Sequence, residues 1–347
     1  MRSFGKFGRF GAGANGAIAA SLTALVSVSA AADPVADFYS GKHLTLIVST
    51  GPGGGFDLYA RTLSAHMSRH IPGHPSITLQ FMPGAGGVTA ANHLYTVSTR
   101  DGTVFGLPYQ TVALYQRLYS SGVRYDAAKF NWIGRMVSAG QALIVWHTAP
   151  ATTLEKMKKT EVVFGASGKS QDTYYYPRMM ATLLGYKVKI VLGYQSAAEV
   201  MNAMERGEVH GYTSNWAALL ATKGAWLKEG KLIPIVNASL EKRKDYPDVP
   251  LNADLTDDPS KKAIIEFFSS AATVGRSFAL PPGTPHDRVE ALRQAFGQSM
   301  SDPVFLADAK NRKMELEPMT GEAVQAAIEK VIAMPSDLVA KAKEAVN

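Results

Sequence analysis

From residue 44 onward, short apolar runs alternate with longer stretches in which apolar residues recur every three or four positions. Leu44–Ser49 (LTLIVS) has the length and β-branched content of a strand. It passes through a glycine-rich loop into Phe56–His70, where Tyr59, Leu63 and Met67 share one helical face until IPGHP stops the helix. Ile77–Met82 is the next strand, PGAGG the next loop, Val88–Val97 the next helix and Thr103–Pro108 a third strand. Ala142–His147, Val162–Gly165, VKIVLGY, VHGY and LIPIVN read as further strands separated by helices, including Trp216–Lys228. Thr152 with Glu155, and Ser196 with Glu199, have capping-box spacing. A polar, Pro- and Asp-rich stretch over 240–260 reads as loop, SFALPP as a strand, and Thr284 as the cap of a helix with Pro285 at its first position. Amphipathic helical segments fill the remainder. The alternation predicts an α/β architecture with largely parallel sheets. Ligands of such sheets bind where strands run out into helices.

The first 32 residues break this pattern. Arg2, Lys6 and Arg9 precede an Ala-rich apolar run over 17–28, and Ser29, Ala30, Ala31 and Ala32 lead to Asp33. That layout predicts a secretory signal peptide over 1–32. The apolar run is shorter than the roughly 20 residues a membrane span needs, so no membrane insertion of the mature chain is expected.

Composition narrows the chemistry. The 347-residue chain is 46% hydrophobic and 19% charged, enough apolar content for a sizeable core and about two domains. There is no cysteine, so an exported chain cannot rely on disulfides, a thiol nucleophile or thiolate metal ligands. The net charge of +7 falls to +4 without the three basic residues of 1–32, as 33 minus 29. The basic residues are scattered, which gives no nucleic-acid footprint.

The glycine loops carry the remaining signal. GPGGGFD (51–57), PGAGG (83–87) and GASGKSQD (165–172) each lead from a strand towards a helix. Amides at a helix N-terminus point outward without intrahelical partners, and glycines let a ligand approach them closely. Such loops suit anions. Phosphate motifs fail on spacing: Phe56 stands at the third glycine of a dinucleotide fingerprint, and Val163 where a Walker loop needs its first glycine. GASG is one residue short of a nucleophile elbow. His66, His70 and His74 lack an accompanying Glu and read as exposed residues near a helix end, and Asp257 with Asp258 as a solvated turn. No cofactor, metal or catalytic residue is expected. A carboxylate is the anion left, and two loops from one domain with one from another could hold the two ends of a small dicarboxylate.

In order along the chain, YSGKHLTLIVSTGPGGGFDLYAR (39–61), MPGAGGVTAANHLY, RDGTVFG, GASGKS, AAEVMNAMERGEVHG and ALPPGTPHDRVEAL resemble the motifs of tripartite tricarboxylate transporter substrate-binding proteins, the Bug or TctC family. The resemblance spans nearly all of 36–347. It implies a two-lobed, type II-like periplasmic-binding-protein (Venus-flytrap) fold with ligand in the interdomain cleft. Lobe 1 would be 33–139 plus 240–347, and lobe 2 would be 140–239. It further implies a periplasmic, monomeric, non-enzymatic protein that takes a small organic carboxylate and hands it to membrane permease subunits. Carried onto this chain, the site comprises Ser49, Thr50, Gly53, Gly54, Gly55, Phe56 and Asp57; Pro83, Gly84, Ala85 and Gly86; Ala166, Ser167, Gly168, Lys169, Ser170 and Gln171; and Tyr194, Gln195 and Asn215 at the rim. Several positions depart from the family. Phe56 stands where many members have Ala or Thr and serves either as an aromatic wall or as a core anchor. Asp57 reads mainly as a helix N-cap. Lys169 either counters a ligand charge or is solvated. Of Tyr174, Tyr175 and Tyr176, at least one belongs in the core and another could meet an extended ligand. His210 replaces an acidic residue. An extracytoplasmic sensor feeding a membrane signalling protein fits the same residues. A secreted hydrolase or transferase would need a nucleophile and base that do not stand out.

Overall fold

A computed structural model describes residues 33–119, 121–166, 168, 171–194 and 196–347. The expected signal peptide, Ser167, Lys169, Ser170 and Gln195 lie outside the described residues.

The chain begins with α1 (Pro34–Tyr39), β1 (His43–Val48), α2 (Gly55–Met67), β2 (Ser76–Phe81), α3 (Val88–Thr96), β3 (Val104–Leu107), α4 (Val112–Leu118) and β4 (Asn131–Arg135). It crosses into β5 (Gln141–Trp146), α5 (Leu154–Met157), β6 (Val162–Ala166), α6 (Asp172–Thr182), β7 (Val188–Leu192), α7 (Ala197–Glu205), β8 (Gly211–Asn215), α8 (Trp216–Lys228) and β9 (Leu232–Ala238). It returns through α9 (Pro259–Val274), β10 (Ser277–Leu280), α10 (His286–Ser301), α11 (Pro303–Asn311), β11 (Met319–Thr320), α12 (Gly321–Ile332) and α13 (Ser336–Val346).

Two sheets result, ordered β11-β4-β10-β3-β1-β2 and β7-β6-β8-β5-β9. Each is mixed rather than largely parallel. β1 pairs in parallel with β2 and β3, β4 runs in the same direction, and β10 and β11 run antiparallel to them. β6 pairs in parallel with β7 and β8, while β5 runs antiparallel to β8 and β9. The antiparallel strands are those at and after the crossings, where the chain enters a sheet from the far end. This is the architecture of a two-lobed periplasmic binding protein, one sheet per lobe.

Local signals explain most boundaries. Ser196 accepts from the Glu199 amide at the start of α7, and α8 begins on an Asn215 cap. Thr153, not Thr152, caps α5 by accepting from the Lys156 amide. Thr284 donates to the Pro281 carbonyl instead of capping α10, which leaves Pro285 as the residue before the helix. The expected loop over 240–260 ends early because Asp258 accepts from the Ser260 and Lys261 amides and starts α9, with Pro259 in its first turn. β4, α4 and α9 had no counterpart in the sequence reading.

The core crosses between the lobes. Phe267 and Phe268 of α9 are fully buried in one apolar cluster with Trp132 and Ile328 from the first lobe and Leu143 and Phe164 from the second. All three tyrosines of α6 lie in this cluster. The Tyr175 ring sits 4.9 Å from that of Phe268, and the Tyr176 hydroxyl donates to the Phe268 carbonyl at 3.2 Å. His66 and His70 are not simply exposed. They bond Asp308 at 3.0 Å and Asp302 at 2.8 Å, tying the end of the α2 segment to α11.

Candidate functional site

The register of the parallel strands assembles the site. Val48 of β1 lies opposite both Phe81 and Leu107, so β1, β2 and β3 finish level and their following loops emerge at one edge. In the other sheet the loop after β6, the loop after β7 and Asn215 at the end of β8 leave the carboxyl ends of their strands in the same way. β10 runs antiparallel to β3, so its first residues arrive at this edge and bring Arg276 with them.

The first glycine loop is closed by Asp57. Gly54 is the residue before α2, and Asp57 sits in the first turn rather than at the cap. Its carboxylate accepts from the Gly53 amide at 2.8 Å and pairs with Arg61 at 2.6 Å. The carboxylate is thereby engaged by its own loop and helix, while the amides of the first turn of α2 have no intrahelical acceptor. The Phe56 ring is buried, and it also lines the cavity in front of the loop.

Phe56 is one member of a stack. Its ring lies parallel to that of Tyr109, with centroids 5.1 Å apart and planes 11° from parallel. The Arg276 guanidinium carbon sits 3.9 Å from the Phe56 centroid, a cation–π distance. Arg276 Nη1 donates to the Gln110 carbonyl oxygen, and Gln110 Nε2 donates to Asp172 Oδ2 at 3.2 Å. Asp172 opens α6, so this chain of bonds joins the segment after β3 of one sheet to the helix after β6 of the other. Burial raises the Asp172 pKa against the bonds from Thr173 and Gln110 and the charge of Arg276. Burial likewise lowers that of Arg276 and pushes the Tyr109 hydroxyl up.

Two cavities, each of about 530 Å³, meet along Gly53, Gly54, Gly55 and Arg276. Thr50, Phe56, Tyr109 and Ser196 line one, and Leu58, Val137, Asn215, Ala218 and Met314 line the other, together with Asp57. Their size lies within the usual range of small-molecule sites. Pro83, Gly84, Ala85 and Gly86 are not among the residues lining them, nor are Ser49, Ala166, Gly168, Gln171 and Tyr194. The second glycine loop supports the site from behind: a Cβ on Gly87 would lie 2.4 Å from the Tyr109 Cβ, so only glycine lets this loop pack on the stack. Ser49 is buried with its hydroxyl unpartnered. Tyr194 packs against β6, close to Gly165. His210 accepts from the Val163 amide at 3.1 Å and belongs to the sheet. Sequence reasoning missed Arg276, Tyr109, Gln110 and Asp172. Among the described residues no group of metal-ligating side chains is found, and no helix is long and apolar enough to cross a membrane.

A two-lobed receptor with its cleft at the carboxyl ends of parallel strands is a solute-binding protein, and the comparisons agree. The family model for the tripartite tricarboxylate transporter family receptor matches residues 59–343, and the chain belongs to that family. A Cupriavidus necator protein described as the UPF0065 protein in the gbd 5′ region is 24% identical over 313 residues, covering 87% of each chain. A TctC solute-binding protein from Polaromonas superposes with a TM-score of 0.65 at 20% identity, over 87% of this chain and 99% of that one. Rpa4515 of R. palustris, solved with adipate, superposes with a TM-score of 0.65 at 19% identity, over 87% of this chain and 97% of that one. The family is one of receptors, not enzymes.

Proposed function

We propose that the protein is a periplasmic solute-binding protein, exported by a cleaved signal peptide over 1–32. It captures a small organic carboxylate and presents it to the permease of a tripartite tricarboxylate-type transporter. Lobe 1 is 33–139 with 240–347, and lobe 2 is 140–239. The observation that carries this reading is the junction of the two cavities at Gly53–Gly55, where the amides opening α2 border space shared with Ser196 and Asn215 of the second lobe. Helix N-termini favour anions, and the structurally similar Rpa4515 was solved with a dicarboxylate. Thr50 and Gly53–Phe56 form the first wall of the site. Ser196 and Asn215 of the second lobe belong to the facing one.

A thermal-shift screen of mono-, di- and tricarboxylates against neutral sugars and amino acids tests this. A carboxylate at 100 times its Kd should stabilise the fold by about 2.7 kcal/mol. Gly54→Val should abolish that response with the fold intact, because a Cβ at Gly54 meets nothing within 4 Å and projects into open space. Stabilisation by neutral solutes alone, or a full response in Gly54→Val, would reject the assignment.

A further inference from the structure

Two arginines are buried in the first lobe, and they are treated differently. Arg135 gives Nη1 to the Thr273 carbonyl at 2.8 Å and both Nε and Nη2 to the Glu317 carbonyl, which pins the crossing segment. Arg276 is 8% exposed; among the described residues its side chain bonds only the neutral amide of Gln110, and its Nε has no partner. Among the described residues it makes no ion pair; the nearest acid in the chain of bonds, Asp172, is reached only through Gln110. A buried cation without an anion is costly. This one borders both cavities beside the glycine loop, with Nη2 3.7 Å from where a Cβ on Gly55 would stand.

The orientation of Gln110 follows from its neighbours. Arg276 only donates, so the amide oxygen must face Arg276, which leaves the amide nitrogen to donate to Asp172. This fixes Nη1 and leaves the rest of the guanidinium for a ligand. Carboxylates match a guanidinium with two parallel bonds.

The cavity beyond Arg276 has a different character. Leu58 and Tyr59 of α2, Val137, and the small Ala217, Ala218 and Ala221 of α8 form most of its walls, with Asn215 and Thr222 as neutral polar members. Of the charged residues there, Asp57 and Arg61 pair with each other, and Lys313 is exposed. A second carboxylate on this side would meet apolar walls and no buried countercharge.

We propose that Arg276 selects the charge of the solute and that the solute is an amphipathic monocarboxylate, with its carboxylate on the Arg276 guanidinium and its apolar remainder between α2 and α8. This rests on the carboxylate-binding reading above and narrows it.

Isothermal titration of the purified protein with acetate, butyrate, hexanoate, phenylacetate, succinate and adipate decides the matter. Affinity should rise roughly threefold to fourfold per buried methylene from acetate to hexanoate, and hexanoate and phenylacetate should exceed both diacids. Arg276→Gln should weaken hexanoate roughly 10- to 100-fold, the worth of a hydrogen-bonded charge. Gln110→Glu should do the same with the guanidinium retained, because it sets a fixed anion against it. Ala218→Glu, at an exposed position on α8, should weaken hexanoate but not acetate. Succinate or adipate binding as tightly as hexanoate would overturn the amphipathic class. Undiminished hexanoate affinity in folded Arg276→Gln, or in Gln110→Glu, would overturn the role of Arg276 while leaving carboxylate capture standing. A wild-type protein that binds only neutral solutes would instead remove the carboxylate reading itself.

Discussion

A single acid, Asp172, links charge, stability and the cleft. It accepts from the Thr173 amide at 3.0 Å and from Gln110, yet burial outweighs these bonds and raises its pKa. The native state therefore holds this proton more tightly than the unfolded chain does. Its contribution to stability is fully present below the ordinary carboxylate value of about 4 and is lost as pH rises through the elevated native value. Asp172→Asn removes that dependence. The urea midpoint of the variant, minus that of the wild type, should increase from pH 4 upward and then level off. A difference that stays flat with pH would mean that Asp172 ionises in the native state as it does in the unfolded chain. The variant should also weaken carboxylate binding. Asn keeps one acceptor oxygen where Asp172 offers two, to the Thr173 amide and to Gln110; serving Thr173 turns its NH2 on Gln110, and a turned Gln110 would push its own amide nitrogen at Arg276. None of this could be read from the sequence, where Gln110, Asp172 and Arg276 are far apart and each is an ordinary polar residue. Gly53–Phe56 could be read, because glycine clustering between a strand and a helix is a local signature with a local cause.

Among the elements, α9 and the turn that follows it matter most to the site. Gly275 ends α9 with φ 51° and ψ −134°, and a Cβ there would lie 2.1 Å from the Val137 carbonyl oxygen. The close approach is what lets the Arg276 amide bond Val137 and the Met136 amide bond Arg276, which places the arginine at the mouth of β3. Gly275→Ala should cost about 2–3 kcal/mol through backbone strain and crowding, visible as a lower urea midpoint, and should weaken ligand binding by displacing the next residue. Unchanged stability would show that the crossing can give way. The helix itself was hidden for a physical reason. Its segment AIIEFFSSAATV packs against α4, α12 and α13 and is buried along most of its length, Ser269 and Ser270 included, so its polar residues do not mark an exposed face. Asp258, expected in a solvated turn, is instead its cap, with Pro259 in the first turn. α8, by contrast, was readable from Trp216 to Lys228 because it starts on a clear cap and ends before Gly230.

At the scale of the molecule, two sheets do not make two independent folding units. One buried cluster holds side chains from both sheets and from α6, α9, α12 and α13. The Tyr175–Phe268 ring contact, the Tyr176 bond to the Phe268 carbonyl and the Thr182 bond to the Ala345 carbonyl at 2.6 Å all join second-lobe α6 to segments of the first lobe. Removing one lobe would expose the apolar face of the other, so the lobes should unfold together. Calorimetry and urea denaturation should give a single transition, with fluorescence and circular dichroism coincident, as for a cooperative unit. Phe268→Ala takes a fully buried ring out of the shared cluster and should lower stability by about 3–5 kcal/mol. It should also separate the transition into two, because the helix that couples the lobes is the one weakened. A variant that simply shifts one sharp transition would place the coupling elsewhere in the cluster. A wild type that already unfolds in two steps would mean that the shared packing does not bind the lobes into one unit.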